Sequence, residues 1–428
     1  MAAADELLGP PPNALRTVAA RAERERRAGH PLAAVRARQD EGVRATVALA
    51  RATPAGSEHL RAVTGAGDVR DLPMLAKADL RSGPLEDWQT APAPPGTRIS
   101  DSSGTTGRPI AIPYAPVGAW RQGVLRLHHN RSRGLWPWSR TVALSADVDR
   151  RPPRRLQRLV RRTATPPLRT DPAEVAAQIG SSRPIAVAGM GRTLIAVGHH
   201  LGTAARPKVV ATYGETLVPE NRDALRALYG ADPTDTYGMA EVGTIAWQCR
   251  HADLYHLAHE ELAVEILDAA GEPVGPGEIG EVVVTTLWNP LLPLVRYRTG
   301  DTAELADRPC ACGHRLPCLL RVHGRLLDWF VDGHGDRVAP QRLWLVEHLD
   351  HAAVADVEQY RVVQAVDRSV RIEVVERGAV PERSLQAAVA SYRSLLDVPV
   401  AVARVGSIDP GPSGRHRIIR SDATSSPP

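Results

Sequence analysis

The chain has 428 residues, which at roughly 150 residues per domain is enough for two or three domains with sizeable cores. With 43% hydrophobic and 24% charged residues, it is not intrinsically disordered. The formal charge of +5 is too small to indicate a nucleic-acid partner, and four cysteines are too few for a disulfide scaffold. No segment approaches the ~18 apolar residues of a membrane span. Because a secretory signal is also lacking, we expect a cytoplasmic protein with no membrane partner.

Helical and strand-like patterns alternate in the first half of the chain. Residues 13–53 have helical spacing that is broken once at Pro31, which predicts two helices. Apolar runs at 184–189 and 207–212 each precede a helix-like segment, the second at 219–229. This alternation predicts an α/β fold whose sheet is at least partly parallel.

Beyond Cys249 the sequence becomes rich in strand-like runs. Two of them, at 261–267 and 280–286, are separated by turns that contain glycine and proline. Nearer the C-terminus, runs at 359–366 and 369–375 precede a helical pattern at 384–396. The C-terminal part is therefore predicted to be a small α+β unit.

A loop rich in glycine and hydroxyl side chains, SSGTTGRP at 102–109, is the most informative segment. Its glycines permit a tight turn whose backbone N–H groups converge on an anion, and its hydroxyls are donors for phosphate oxygens. It lacks the Gly-Lys-Ser/Thr of the Walker pattern. Taken alone, such a loop is more often a polar turn.

Three further motifs change that balance: YGETL at 213–217, YGMAE at 237–241 and RYRTGD at 296–301. Together with the loop, they resemble the adenylate-forming superfamily, which includes acyl-CoA synthetases, peptide-synthetase adenylation domains and luciferases. LPMLAKADL, PCACGHR and VHGRLLD, which start at positions 72, 309 and 322, make the chain most similar to the phenylacetate–CoA ligase-like branch.

The resemblance implies a two-domain α/β architecture. A large N-terminal adenylate-forming domain would span 1–326, with a mainly helical lead-in at 1–90. A small mobile α+β lid domain would span 327–428, joined at a hinge near residues 325–328.

The resemblance also implies a role for each matching residue. ATP phosphates would be held by Ser102, Ser103, Gly104, Thr105, Thr106 and Gly107. Tyr237 would lie near the adenine, Glu241 would help to bind Mg²⁺, and Asp301 would accept hydrogen bonds from the ribose. The motifs add further nucleotide-binding residues, namely Gly214, Glu215, Gly238, Met239 and Arg325. Without the resemblance, Tyr237 is equally well a core aromatic, Glu241 a surface acid and Asp301 a turn residue.

A second group of residues has the ligand types of a zinc site. Cys249, His256, Cys310 and Cys312 offer thiolate and imidazole donors, with His251 as a rival to His256 and Cys318 as a bystander. The spacing is not that of a standard zinc finger, so spacing alone leaves buried free thiols and a metal site both open. Since some members of the branch carry a structural zinc at corresponding positions, the resemblance implies structural Zn²⁺ here.

The chain departs from the family pattern on the lid side. Lys77 and Lys208 are the only lysines, and Arg415 occupies the place of the usual C-terminal catalytic lysine. Arginine keeps the charge but is wider and planar, so the exchange is not conservative. Leu327 replaces a polar hinge residue, and Ala240 replaces the hydroxyl residue that often precedes Glu241. These departures affect the domain rotation that precedes thioester formation more than they affect ATP binding.

The arginine-rich segment 150–162 has two interpretations. Its seven arginines form either a patch for the phosphates of CoA or an acidic carrier protein, or a solvated basic helix.

The leading hypothesis is an ATP- and Mg²⁺-dependent, AMP-forming ligase that activates a small carboxylic acid, an aryl acid by resemblance. Glu241, Arg325 and Arg415 would be its catalytic residues, and CoA, a carrier protein or an amine would accept the acyl group. Two alternatives stay open: activation of nitrite for arylamine diazotisation, and a nucleotide-binding scaffold without turnover. Neither the acid nor the oligomeric state can be read from the sequence.

Overall fold

The structure is a computed structural model of the chain. It describes residues 20, 31–63, 69–101, 110–144, 163–164, 171–201, 206–251, 254–325, 329–338, 340–345, 348–349, 353, 356–409 and 418–423.

The helices predicted after Pro31, after residue 189, at 219–229 and at 384–396 are all present, and three further described helices were not predicted individually. The helices with described bounds are α1 (Leu32–Arg51), α2 (Pro54–His59), α3 (Pro116–Ser132), α4 (Pro172–Ser182), α5 (Gly191–Gly198), α6 (Pro219–Tyr229) and α7 (Glu382–Leu396). Four of them begin with proline, whose missing N–H and fixed φ suit the first helical turn. Helix α1 starts directly after Pro31, where the sequence predicted a break; the helix predicted before Pro31 lies outside the described residues, apart from Ala20.

Most strands belong to one large sheet. The strands are β1 (Arg98–Asp101), β2 (Ala111–Tyr114), β3 (Thr141–Ala143), β4 (Thr163–Ala164), β5 (Ala186–Gly189), β6 (Val209–Tyr213), β7 (Pro233–Met239), β8 (Gly243–Gln248), β9 (Tyr255–Leu257), β10 (Leu262–Leu267), β11 (Ile279–Thr286), β12 (Tyr297–Leu305), β13 (Cys318–Arg325), β14 (Phe330–Val331), β15 (Arg337–Val338), β16 (Val357–Gln364), β17 (Val370–Glu376), β18 (Val400–Arg404) and β19 (Ile419–Ser421). The described part of the large sheet has 11 strands in the order β10-β11-β12-β13-β9-β8-β7-β6-β5-β3-β4.

The large sheet has a parallel part and an antiparallel part. Strands β3 to β7 run parallel, and the remaining strands, beginning with β8, are antiparallel to their neighbours. Helices α4, α5 and α6 pack on the parallel part through a cluster that includes Ile179, Leu194 and Leu225. The predicted α/β fold with a partly parallel sheet is confirmed.

The C-terminal unit has its own sheet and core. Its sheet has the order β18-β17-β16-β19, and α7 packs on it through a cluster that includes Leu385 and Tyr392. Strand β16 ends at Gln364, earlier than predicted, because Val366 lies in a turn and is 79% exposed. The domain boundary near residue 326 stays a prediction, since residues 326–328 are outside the described residues.

No described helix has the length and apolar character needed to cross a bilayer.

Candidate nucleotide site and metal centre

Two predicted motifs lie at the carboxyl ends of neighbouring parallel strands. YGETL begins at the last residue of β6, and YGMAE spans the end of β7 and the turn into β8. In open α/β sheets this edge is where ligands bind. The fold therefore brings these two motifs to the same edge.

Gly214 and Glu215 follow β6 and shape this edge. Gly214 has φ +86°, a conformation that glycine adopts without steric penalty. Glu215 Oε1 accepts a hydrogen bond from the Arg192 backbone N–H at 2.9 Å and so caps the start of α5. Burial raises the pKa of the Glu215 carboxyl, and the backbone N–H groups of Arg192 and Gly191 partly oppose this by lowering it. Its described contact is structural, and a nucleotide contact stays a prediction.

Gly238 and Met239 form the tight β7–β8 hairpin. A β-carbon on Gly238 would lie 2.5 Å from the carbonyl oxygen of Gly243, so only glycine fits. Met239 packs at the edge of the main core cluster. This close approach sets the position of Glu241, which follows in the turn.

Asp301 is held by two partners across the sheet. It lies on β12 opposite Arg325 of β13, and Arg325 Nε is 3.0 Å from Asp301 Oδ1. Tyr237 Oη donates to Asp301 Oδ2 at 2.9 Å. Arg325 Nη1 also donates to the Thr299 carbonyl at 3.1 Å. The structure thus unites three residues that the sequence predicted for the nucleotide site.

Tyr237 is a buried member of the main core cluster as well as a partner of Asp301. Burial raises the pKa of its phenol well above the ordinary value, and the Asp301 carboxylate adds to the shift. The phenol therefore stays protonated and donates to Asp301. An additional contact with adenine stays a prediction.

Glu241 forms an ion pair that motif analysis did not identify. Lys77 Nζ lies 2.8 Å from Glu241 Oε1, and the two side chains are 18% and 4% exposed. Lys77 belongs to the LPMLAKADL segment, which marked only the branch resemblance. The signal that was available is the rarity of lysine, because one of only two lysines in the chain lies in that segment.

The RYRTGD motif explains how Lys77 reaches Glu241. Arg296 is buried and donates to the carbonyls of Arg70 and Leu72 at 2.6 and 2.9 Å, while pairing with Glu265. Leu75 pairs with the start of β12 through its backbone. The first arginine of the motif is thus structural, and it anchors the segment that carries Lys77.

The loop at 102–107 and Arg415 lie outside the described residues, as do Leu327 and the arginine-rich segment, so their predicted roles stay predictions. The strands next to the loop are described: β1 and β2 pair antiparallel, with Asp101 opposite Ala111. Tyr114, at the end of β2, donates through its hydroxyl to the Ala240 carbonyl at 2.6 Å. The hairpin that bears the loop is therefore attached beside Glu241.

The four predicted zinc ligands meet on the other end of the β12–β13 hairpin. One ligand atom each from Cys249, His256, Cys310 and Cys312 lies within 4.8 Å of the others. His256 pairs with Cys318 in the β9–β13 ladder, which places its ring beside the connection between β12 and β13. The rival His251 contacts Arg250 instead, with Arg250 Nε 2.9 Å from His251 Nε2.

The donor chemistry of this cluster fits zinc. Three sulfurs and one imidazole form a common tetrahedral zinc set. Burial raises the pKa of the Cys310 thiol to about 12 and lowers the pKa of His256 to about 4. Neutral imidazole is the form that binds a metal, and the thiols would release protons to it. Cys318 Sγ is directed at the Leu316 carbonyl at 3.5 Å, outside the cluster.

The chain is similar in sequence to known enzymes over part of their length. No protein-family profile matches the chain. The chain is 27% identical over 159 residues to phenylacetate-coenzyme A ligase of Thermus thermophilus, covering 29% of the chain and 36% of that enzyme. It is 25% identical over 310 residues to the Escherichia coli enzyme of the same name, covering 64% of the chain and 65% of the enzyme. The matches therefore span from about one third to just under two thirds of these relatives.

Solved structures show the same fold. 2-Hydroxyisobutyryl-CoA ligase in the postadenylation state matches with a TM-score of 0.73 at 19% identity, covering 91% of this chain and 89% of that chain. The same ligase in the thioesterification state matches with a TM-score of 0.58 at 18% identity, covering 92% and 90%. The amide bond synthetase McbA of Marinactinospora thermotolerans matches with a TM-score of 0.55 at 22% identity, covering 78% and 71%.

Proposed function

Because the chain is similar in sequence to phenylacetate–CoA ligases and has the fold of adenylate-forming ligases, we propose that it is an AMP-forming ligase. Its substrates are ATP and a small aryl carboxylic acid, and its acyl acceptor is CoA. The observation that carries the proposal is the meeting of Asp301, Arg325 and Tyr237 at the sheet edge where Glu241 also lies.

The Asp301 group is suited to hold a ribose. A carboxylate fixed from one side by a guanidinium and from the other by a phenol cannot rotate freely. Each of its oxygens still has a lone pair for a hydroxyl donor. Arg325 adds a positive charge close to the nucleotide, which supports its predicted catalytic role.

Glu241 is suited to a hard divalent cation. Its carboxylate is buried, beside the hairpin that bears the predicted phosphate loop. A single carboxylate together with ATP phosphates is a common way to hold Mg²⁺. When bound, Mg²⁺ would neutralise negative charge on the departing pyrophosphate.

The reaction has two steps. A carboxylate oxygen of the acid bonds to the α-phosphorus of ATP, and the bond from that phosphorus to pyrophosphate breaks. The sulfur of CoA then bonds to the acyl carbon, AMP leaves with the carboxylate oxygen, and the thiol proton is lost to solvent or a base. Residues 102–107 and Arg415, by resemblance, would contact the phosphates and the carboxylate in the first step.

The cysteine and histidine cluster is proposed to hold a structural zinc. All four coordination positions would be filled by protein, so the metal would have no open position for a substrate.

Pyrophosphate release measured with a panel of aryl and alkyl acids tests the proposal. We expect acid-dependent release, with AMP formed in equal amount and the acyl group recovered on CoA. Recovery on a carrier protein or an amine would correct the acceptor alone. ATP consumption that requires nitrite and an arylamine would overturn carboxylate activation, and tight ATP binding without AMP formation would favour a scaffold.

A further inference from the structure

The Lys77–Glu241 ion pair is built into the fold. The Leu75 N–H donates to the Arg296 carbonyl at 3.0 Å, and the Arg298 N–H donates to the Leu75 carbonyl at 2.8 Å. Just after Lys77, the Asp79 carboxylate accepts from the Ala76 N–H at 2.7 Å and turns the chain. The backbone contacts of Leu75 and the side-chain contact of Asp79 therefore hold the chain around Lys77 and direct its ammonium to Glu241.

The pair balances a charge that would otherwise be costly. The Glu241 side chain is only 4% exposed, and its neighbours include the core residues Val242 and Tyr297. A buried carboxylate without a counter-charge strongly destabilises a protein. The Lys77 ammonium at 2.8 Å supplies that counter-charge in the nucleotide-free protein.

The same carboxylate is the one proposed to bind the divalent cation. An ammonium 2.8 Å from a carboxylate oxygen repels a second cation at that carboxylate. Lysine is also flexible, compact and a good donor to phosphate. When MgATP arrives, four phosphate charges enter the site next to an ammonium that the carboxylate no longer requires.

We propose that Lys77 is an additional residue of the nucleotide site and exchanges partners. In the empty site its ammonium is the counter-ion of Glu241, and on binding of MgATP it passes to a phosphate oxygen while the divalent cation takes the carboxylate. The inference rests on the proposed ATP-dependent function. It assigns Lys77 a direct contact with substrate.

Binding of Mn²⁺ without nucleotide tests the first half of the exchange. Electron paramagnetic resonance measures Mn²⁺ affinity, and Glu241→Gln identifies Mn²⁺ bound elsewhere. In Lys77→Met we expect roughly fivefold to tenfold tighter binding at Glu241, because a competing cation is gone. Lys208→Met is the matched control, since Lys208 is exposed and is the only other lysine, and its Mn²⁺ affinity should equal that of the wild type.

Nuclear magnetic resonance tests the second half on the intact protein. Reductive ¹³C-methylation keeps the lysine charge and yields only two lysine signals from this chain. We expect Glu241→Gln and MgATP each to shift the Lys77 signal while the Lys208 signal stays in place. Calorimetric titration with ATP should show about tenfold weaker binding in Lys77→Met and a smaller loss in Lys77→Arg.

The outcomes separate the two hypotheses. If the wild type binds no ATP, the proposed function fails. If Lys77→Met leaves the Mn²⁺ affinity unchanged, the proposed exchange of partners is wrong even where ATP binds. The same holds if neither Glu241→Gln nor MgATP shifts the Lys77 signal. Should Lys77→Met fold poorly, Lys77→Met/Glu241→Gln removes both charges and should regain a normal melting temperature, and the resonance experiment does not need either variant of Lys77.

Discussion

At the scale of single residues, the candidate site is a set of charges that constrain one another. Asp301 is fixed by Arg325 and Tyr237, and Glu241 by Lys77. Each of these two carboxylates has a cationic nitrogen within 3.0 Å, so within the described residues their charges are already paired before ATP enters. We therefore expect binding of MgATP to change the partners in these ion pairs. Substitution of each partner tests this expectation.

Replacing Asp301 with asparagine should weaken the nucleotide site without altering its shape. The amide keeps one acceptor but loses the charge that holds Arg325 and attracts ribose hydroxyls. We expect kcat/KM for ATP to fall roughly 10- to 100-fold. Steady-state pyrophosphate release measures the effect. Asp307→Asn, at an exposed position just after the same strand, is the control and should retain wild-type kinetics. Wild-type kinetics in Asp301→Asn as well would exclude a role for Asp301.

His323 should make the protein sensitive to acid. Its ring is buried, neither ring nitrogen has a hydrogen bond among the described residues, and Glu304 Oε2 lies 3.5 Å from Nε2. Burial, and then Arg321, lowers its pKa from 6.5 to about 4. Because the folded state resists protonation, stability is complete above pH 6.5 and is lost as the pH falls toward 4, by at most about 3 kcal/mol.

His323→Leu should remove this part of the acid sensitivity. Its melting temperature should decline less between pH 6.5 and pH 4 than that of the wild type. The other buried histidines are common to both proteins and cancel in the comparison. If the melting temperatures of the two proteins decline equally between pH 6.5 and pH 4, the assignment to His323 is wrong.

Short motifs predicted Glu241 and Asp301 because their chemistry is local to each motif. Lys77 was not predicted as a site residue, since its role exists only once β12 binds the 72–80 segment through Leu75. For the same reason, the anchoring role of Arg296, the first arginine of RYRTGD, was not predicted from the motif. Pairing between distant segments is set by the sheet, and a single sequence does not encode it in any one place.

At the scale of elements, the strands and helices for which hydrophobic periodicity gave bounds lie within a few residues of the prediction. Helix α6 has the predicted bounds, and β5, β6, β10 and β11 lie within the predicted runs or extend one residue beyond them. The order of the sheet was not predictable, because β9 joins β13 across a long stretch of chain. That pairing is what brings His256 to the cysteines of the β12–β13 connection.

Gly238 should be indispensable to the β7–β8 hairpin. In Gly238→Ala the new methyl group would lie 2.5 Å from the Gly243 carbonyl oxygen. Because that oxygen belongs to the backbone, it cannot move away without distorting the hairpin. We expect a loss of about 2–4 kcal/mol of stability. Gly123→Ala is the control, because a β-carbon there meets nothing within 4 Å inside helix α3. It should gain about 0.5–1 kcal/mol, and chemical denaturation distinguishes the two.

The metal centre should stabilise the hairpin that carries Asp301 and Arg325. Purified protein should contain one zinc per chain by elemental analysis, and Cys312→Ala should lose it and unfold at a lower temperature. Cys318→Ala should retain zinc, because its sulfur lies outside the cluster. Protein that is active and stable without zinc, or Cys318→Ala that loses zinc, would count against this assignment.

At the scale of the whole molecule, the C-terminal unit rests on the edge that carries the YGETL motif. Val218, which follows that motif, is 1% exposed and packs in the same cluster as Phe330 and Leu343 of the C-terminal part. Trp329 Nε1 also approaches Thr302 Oγ1 at 3.5 Å.

Val218→Ala should loosen this docking. The variant removes two buried methyl groups, worth about 1–2 kcal/mol, so the docked population should fall by roughly 5- to 30-fold relative to the undocked one. If adenylation needs the docked form, acid-dependent pyrophosphate release should slow, while transfer from a supplied acyl-adenylate to CoA should not.

Limited proteolysis should cut the variant faster near the proposed boundary at residue 326. Val366→Ala, at a position 79% exposed in the C-terminal unit, should behave as the wild type, and equal cleavage of all three proteins would show that Val218 does not hold the two units together.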